Sequence, residues 1–306
     1  MKRNLLSLLE LSRNDILTLL DMADKMKRSR GRVRSKGNME RKSLALLFQK
    51  SSTRTRVSFE VAMYELGGYT IFLNTSDLQL SRGESIEDTA RTLSKYVNVV
   101  AVRVYDHKDV EVFASASTIP VINALSSNHH PCQALSDLMT IREIKGTLSG
   151  IKIAWIGDAN NVCNDLMVGA MKLGADFSIA SPNKYRPNKK LVEKAKMDAA
   201  SDANLKLLLN PVDAVRDADV IVTDSYVSMG SESERNLRLK AFLPKYQVTD
   251  SLLRGAGKDA IFMHCLPAKR GEEVTGDVID GRSSVVWQQA ENKLHIHKAL
   301  LADILK

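Results

Sequence analysis

The sequence predicts an α/β protein of two doubly wound domains, each a parallel sheet flanked by helices, with an interdomain active-site cleft. Three observations carry that expectation. Short runs of aliphatic and β-branched residues alternate with stretches of helical periodicity, the order that builds parallel sheets through right-handed crossovers. The alternation pauses at a polar, glycine-bearing segment, Lys145 to Gly150, and then begins again. At 306 residues the chain is long enough for two ordinary cores.

Ser12, with Asp15 three positions on, has the form of a capping box and opens an amphipathic helix to about Met26. The β-rich runs of the first half are Ser43–Phe48, Tyr69–Leu73, Asn98–Val104 and Ile119–Ile122. Gly67-Gly68 suits a helix stop, and Gln133 to Ile144 reads as a connecting helix. The second half repeats the pattern at Ile151–Ile156, Asp176–Ala180, Leu205–Leu208, Asp219–Thr223 and Ala260–Met263. One domain is therefore expected at 1–145 and another at 150–289. The last helical stretch, 290–306, is expected to pack back on the first.

Composition narrows the class. Hydrophobic residues make up 44% and charged residues 26%, ordinary for a globular protein. The formal charge of +8 favours anionic ligands. Much of the excess lies in one run from Lys25 to Lys42, which reads as a solvated connector rather than an RNA-binding arm, since no aromatic residue interleaves it. Cys132, Cys163 and Cys265 are far apart and form no CxxC pair, against a disulfide framework or a zinc ribbon. Glu10, Arg13 and Asp15 interrupt the apolar start too soon for a signal peptide, and no apolar run approaches the ~20 residues of a membrane helix. These features predict a cytoplasmic protein.

Ligands of open α/β sheets gather at the carboxyl ends of strands. The polar groups that pass this filter are the turn after Phe48, Arg103, His130, the turn after Ile156, Asp224 and Cys265. In the first turn, Ser51-Ser52-Thr53-Arg54-Thr55-Arg56 leads from a strand into a helix. A helix start offers free N–H groups and a positive dipole end. Ser52, Thr53 and Thr55 add short donors, and Arg54 and Arg56 add forked cations, a combination suited to phosphate. The rival reading is a capped helix with surface arginines.

His129-His130-Pro131-Cys132-Gln133 begins another helix, with Pro131 in its first turn. The dipole there disfavours imidazolium, so His130 would serve as a neutral donor to a carbonyl oxygen. A zinc site of His129, His130 and Cys132 fails on spacing. Gly157-Asp158-Ala159-Asn160-Asn161 lacks the further glycines of a dinucleotide fingerprint. Asp224, at a strand end, suits an ammonium group, and Ser228 with the following amide suits a carboxylate; the alternative is an Asx-capped turn. Taken alone, Cys265 reads as a buried small hydrophobe.

Ser52-Thr53-Arg54-Thr55-Arg56, His130-Pro131-Cys132-Gln133, Asp224 to Gly230 and His264-Cys265-Leu266-Pro267 together resemble the motifs of the aspartate/ornithine carbamoyltransferase family, in the family's order and over nearly the whole chain. Asp-x-x-x-Ser-Met-Gly and His-Cys-Leu-Pro mark its ornithine-type members. The resemblance implies transfer of a carbamoyl group from carbamoyl phosphate to L-ornithine. It implies no cofactor or metal, no nucleic-acid or membrane partner, and a homo-oligomer, a trimer or a multiple of trimers.

The implied carbamoyl-phosphate residues are Ser52, Thr53, Arg54, Thr55, Gln79, Arg103, His130, Gln133, Cys265, Leu266 and Lys293. Those implied for ornithine are Asn161, Asp224, Ser228 and Met229, and those for catalysis are Arg54, Arg103, His130, Asp224 and Cys265. Gln79 lies in a polar loop that the family places near carbamoyl phosphate, in some members across a subunit boundary. Lys293 is a departure, because ornithine-type members usually carry arginine there. A lysine keeps the charge and loses the bidentate fork. Other amines (putrescine, N-acetylornithine, aspartate) and a non-catalytic paralogue are the rival readings. Which group takes the amine's proton is left open by the sequence.

Overall fold

A computed structural model describes residues 4–31, 39–228, 230 and 232–306. The chain folds as two compact units, Met1–Ser136 with Glu291–Lys306, and Asp137–Ala290.

The first unit runs α1 (Arg13–Arg28), β1 (Ser43–Phe48), α2 (Thr53–Glu65), β2 (Tyr69–Asn74), α3 (Ile86–Tyr96), β3 (Val99–Arg103), α4 (His107–Ala116), β4 (Val121–Leu125) and the start of α5 (Pro131–Lys145). Its four strands pair in parallel in the order β2-β1-β3-β4. β1 and β3 are continuous apolar runs because both faces are covered. The capping box at Ser12 and Asp15 forms as expected, with Ser12 Oγ accepting from the Asp15 amide. The glycine stop after α2 also forms. Gly67 takes a φ of 86°, the left-handed region that favours glycine, and a Cβ on Gly68 would lie 3.0 Å from the Lys42 carbonyl oxygen, a tight approach to backbone.

The second unit continues with β5 (Lys152–Ile156), α6 (Asn161–Lys172), β6 (Asp176–Ala180), α7 (Lys189–Met197), β7 (Leu205–Leu208), α8 (Pro211–Val215), β8 (Val220–Thr223), α9 (Arg235–Phe242), α10 (Asp250–Leu253), β9 (Ile261–His264), α11 (Gly276–Ile279) and α12 (Val286–Ile304). Its parallel sheet has the order β7-β6-β5-β8-β9.

Two expectations shift. The fourth strand is Val121–Leu125 rather than Ile119–Ile122. Pro120 cannot donate to a ladder and contributes only its carbonyl, to the Val100 amide, before the strand begins. The units divide between Ser136 and Asp137, inside α5, whereas the sequence suggested the polar turn that follows this helix. The chain returns to the first unit within α12, whose last fourteen residues, with the two-residue tail that follows, make up the Glu291–Lys306 part of that unit.

Part of the basic run is tied down. Lys27 donates to Asn292 Oδ1 (2.7 Å) and lies 3.5 Å from Glu291, and Arg30 pairs with Glu65 at 3.0 Å. Arg32, Arg34 and Lys36 lie outside the described residues.

Candidate active site

In each sheet, strand order reverses direction at one place, and there the loops leave a crevice. In the first sheet that place lies between β1 and β3, whose last residues, Phe48 and Arg103, are paired. In the second it lies between β5 and β8, where Ile156 is paired with Thr223. The motif after Phe48 and Arg103 therefore meet at one switch point. The Gly157 turn and Asp224 meet at the other.

At the first, Gln49 N–H donates to the Arg103 carbonyl (2.8 Å), closing the strand end. Ser52 is the N-cap of α2, its Oγ accepting from the Thr55 amide (3.3 Å). Thr53 is exposed, Arg54 half-buried and Thr55 buried. Arg56 is engaged elsewhere, 2.9 Å from Glu60 and 3.7 Å over the Phe72 ring, so it is a structural cation and not a member of the phosphate set. Arg103 is 5% exposed and His130 4%. Burial, and then the charges of Lys293 and Arg103 and the ring of His297, push the His130 imidazole well below its ordinary value. It is neutral, as its place at a helix start suggested. Gln133 is buried, and its Oε1 accepts from Lys293 Nζ at 2.9 Å. The ammonium thus sets which end of that amide is oxygen. Gln79 stands apart. It is exposed in a one-turn helix, Gln79–Arg82, and no contact joins it to Ser52, Arg54 or Arg103 among the described residues.

At the second switch point, Gly157 has a φ of 115° and lies so close to Tyr226 that a Cβ would be 2.9 Å from the ring. Only glycine lets this turn form beneath the 224–228 segment. Asn160 caps α6, with its Oδ1 accepting from the Val162 and Cys163 amides, and its Nδ2 donates to Asp224 Oδ2 at 2.7 Å. The Ser225 amide donates to Asp224 Oδ1 (2.8 Å), and Cys265 Sγ donates to the same oxygen at 3.2 Å. Asn161, Ser228, Cys265 and Leu266 are half-buried around this carboxylate's segment, and Met229 lies outside the described residues.

Leu266 has a φ of 57°, rare for leucine, with its amide donating to His264 Nδ1 (2.9 Å). Asp224, His264 and Cys265 have the composition and proximity of a metal site. The ring of His264 argues against one. Its Nδ1 accepts from Leu266, so Nε2 carries the hydrogen and donates to Glu273 Oε1 (3.1 Å), and no lone pair remains for an ion. The zinc possibility at His129, His130 and Cys132 fares no better, since the Cys132 thiol donates to the Asn123 carbonyl.

Several residues of this half were not singled out by sequence. Asn160, rather than Asn161, meets Asp224, although its capping position was legible in the strand-turn-helix pattern. Asp158 pairs with Arg238 at 2.9 Å across eighty positions, and Arg238 also donates to the Tyr226 carbonyl (3.1 Å). Burial raises Asp158 to about 6, with Asp224 and Glu234 adding to the rise and Arg238 opposing it. Glu273, which holds His264, had no local signal at all.

The class these features define is an open-sheet α/β protein with a capped, arginine-bearing helix start in one unit and an acidic, thiol-bearing strand end in the other. Residues 3–143 match the description "Aspartate/ornithine carbamoyltransferase, carbamoyl-P binding domain". Residues 149–304 match "Aspartate/ornithine carbamoyltransferase, Asp/Orn binding domain". The chain belongs to the aspartate/ornithine carbamoyltransferase family. It is 53% identical over 304 residues to the anabolic ornithine carbamoyltransferase of Pyrococcus furiosus, covering 99% of this chain and 96% of that one. A solved ornithine carbamoyltransferase structure from the same organism superposes with a TM-score of 0.94, at 53% identity and over 98% and 96% of the two chains. The solved anabolic ornithine carbamoyltransferase of Campylobacter jejuni gives 0.93, at 42% identity and over 99% of each.

Proposed function

We propose that the protein transfers the carbamoyl group of carbamoyl phosphate to the δ-amine of L-ornithine, giving L-citrulline and phosphate, in the direction of arginine synthesis. The observation that carries this reading is the opposite charge of the two switch points, cationic in the first unit and acidic in the second. They match a phosphorylated carbonyl donor and a diamino acid. The naming of the relatives supports the particular amine and the anabolic direction.

The reaction forms one C–N bond and breaks one C–O bond, with phosphate leaving. Nothing in it demands a metal. The helix start at Ser52, Thr53, Arg54 and Thr55 holds the phosphate, where N–H groups and a guanidinium offset the charge that develops as it departs. Arg54, Arg103 and neutral His130 donate to the carbonyl oxygen as it becomes an oxyanion. Gln133, aligned by Lys293, binds the carbamoyl nitrogen. Asp224 binds the α-ammonium of ornithine, while Asn161 and Ser228 take its carboxylate. Cys265 sits on Asp224 beside the incoming δ-amine. Because its thiol donates to the carboxylate, Asp224 is the acceptor of that pair. Gln79 acts only if a neighbouring copy supplies it.

We also propose a homo-oligomer, a trimer or a multiple of trimers. Val57, Tyr64, Tyr69 and Ile71 leave an exposed apolar face on α2 and the edge strand β2, a surface that monomers seldom keep. Light scattering that returned only a monomer would overturn this. The cytoplasmic assignment rests on three free cysteines. No helix among the described residues is long and apolar enough to cross a membrane.

The function is tested by citrulline formation with ornithine, with putrescine, N-acetylornithine and aspartate assayed in parallel. A strong preference for ornithine is expected. Preference for another amine would keep the first half-site and overturn the second. No product with any amine, from protein that still binds carbamoyl phosphate, would mean a non-catalytic paralogue.

A further inference from the structure

Behind the phosphate motif lies a polar contact that the proposed chemistry does not use. Helix α12 carries Lys293 and His297 four residues apart, hence on one face, and both are buried. The His297 ring lies flat on Phe59, with centroids 3.5 Å apart and planes 10° apart. Its Nδ1 is 2.9 Å from Ser58 Oγ. That hydroxyl is 2.6 Å from the Arg54 carbonyl and 3.1 Å from that of Thr55. Two oxygens 2.6 Å apart require a hydrogen between them, and the carbonyl has none to give. Ser58 therefore donates to Arg54 and accepts from the imidazole. His297 carries its hydrogen on Nδ1, and its Nε2 is a bare acceptor, buried with no hydrogen-bond partner among the described residues. Burial first, and then the Lys293 charge, keep the ring's pKa well below the ordinary value, which agrees with a neutral imidazole.

We propose that His297 is a positioning residue for the carbamoyl-phosphate site, acting through Ser58 on the peptide of Arg54 and so on the first turn of the phosphate-binding helix. The proposal rests on the function proposed above. A serine bonded back to the carbonyl four residues earlier bends its helix slightly, and a free hydroxyl would choose among rotamers. Here the imidazole N–H holds the oxygen in one rotamer, and the Phe59 stack holds the imidazole. The placement of the Arg54 peptide is thereby set from α12. A misplacement of about 1 Å in such a group costs about a hundredfold in rate, so even a partial release is measurable.

Three variants separate the parts. His297→Phe keeps a ring on Phe59 and removes the N–H. His297→Asn keeps a short N–H donor and gives up most of the stack. Ser58→Ala removes the hydroxyl from the other side. His297→Phe and Ser58→Ala are each expected to raise the KM for carbamoyl phosphate, and the Kd for inorganic phosphate, about tenfold. The KM for ornithine at saturating carbamoyl phosphate should stay within about twofold. His297→Asn should recover most of the loss, and the double variant His297→Phe/Ser58→Ala should be no worse than either single one, because one relay is broken in each. A role in packing alone would lower the melting temperature without this split between substrates. Unchanged carbamoyl-phosphate KM in folded His297→Phe or Ser58→Ala, or equal losses for both substrates, overturns the proposal. If His297→Phe does not fold, Ser58→Ala decides. An inactive wild-type protein would instead overturn the function itself, so the two failures are distinguishable.

Discussion

At the switch point of the first sheet, a capped helix start carrying Arg54 follows Phe48, and Arg103, paired with Phe48, helps to keep the His130 imidazole neutral. At that of the second, Asp224 is held by an amide side chain, a backbone N–H and a thiol, with Asp158 nearby at the same turn. Both sheets are parallel and reverse their winding once, and the electrostatics at the two reversals are opposite. On the proposed function, the first half binds mostly through backbone: helix-start N–H groups, a dipole, and the cap at Ser52. The second, on the proposed function, presents a carboxylate to an ammonium, and that carboxylate is held by groups brought from the start of α6 and the ends of β8 and β9. A doubly wound sheet thus supplies the place for a ligand, while the residues at the strand ends choose its sign.

The largest expected effect tests the cationic half. Arg54→Ala should cost about 3 kcal/mol or more in kcat/KM, by comparison with the loss of one oxyanion donor. Equilibrium binding of ornithine's carboxylate and ammonium groups should hardly change. A loss confined to ornithine binding would reverse the assignment of the two halves.

Next comes the buried acid of the other half. Asp158 is raised from 3.8 to about 6 in the folded protein. Its contribution to stability is therefore fully present below about pH 4 and is lost as pH rises through about 6. The stability of wild type relative to Asp158→Asn should fall by about 3 kcal/mol over that window, measured by urea unfolding at a series of pH values. A constant difference would show that Asp158 ionises like a surface carboxylate. His130 should give the contrasting result. Its ring, read by nitrogen NMR, is expected to stay neutral as pH falls through 6.5, because burial and the nearby cations hold it low.

Asp224→Asn should weaken ornithine by about 2 kcal/mol, the scale of a hydrogen bond to a charged group, with carbamoyl-phosphate binding intact. The smallest effect is expected at Cys265. As a donor to Asp224 it is not the proton acceptor, so Cys265→Ala should lower kcat by no more than about tenfold, with the pH profile unmoved. A lost limb of that profile would make the thiol an essential base.

Reading the first half from sequence was straightforward for a physical reason. Ser52 to Arg56 is contiguous, and a strand leading into a capped helix places such residues by local rules. Even there the string overstated itself, since Arg56 turned to Glu60 and Phe72. The second half was legible only as separate pieces. Asn160 and Asp224, sixty-four residues apart, meet because β5 and β8 are neighbours in the sheet. Arg238 reaches Asp158 from another helix, and Glu273 fixes the tautomer of His264 from a loop. No periodicity or short motif announces contacts of that kind.

By itself the sequence determined the alternation of strands and helices, the capped anion turn, the glycine stops and the motif order that resembles one family. All of these follow from local backbone preference and from residues adjacent in the chain. Only the tertiary structure decided that Lys293 aligns Gln133 and that His297 backs Ser58, and only it supplied the burial and the charges that reinforce the neutral His130 its helix start suggested, because these exist only once α12 has packed on the first unit's own residues. Ionisation and hydrogen-bond direction depend on what surrounds a group, and the order of residues along the chain does not contain that.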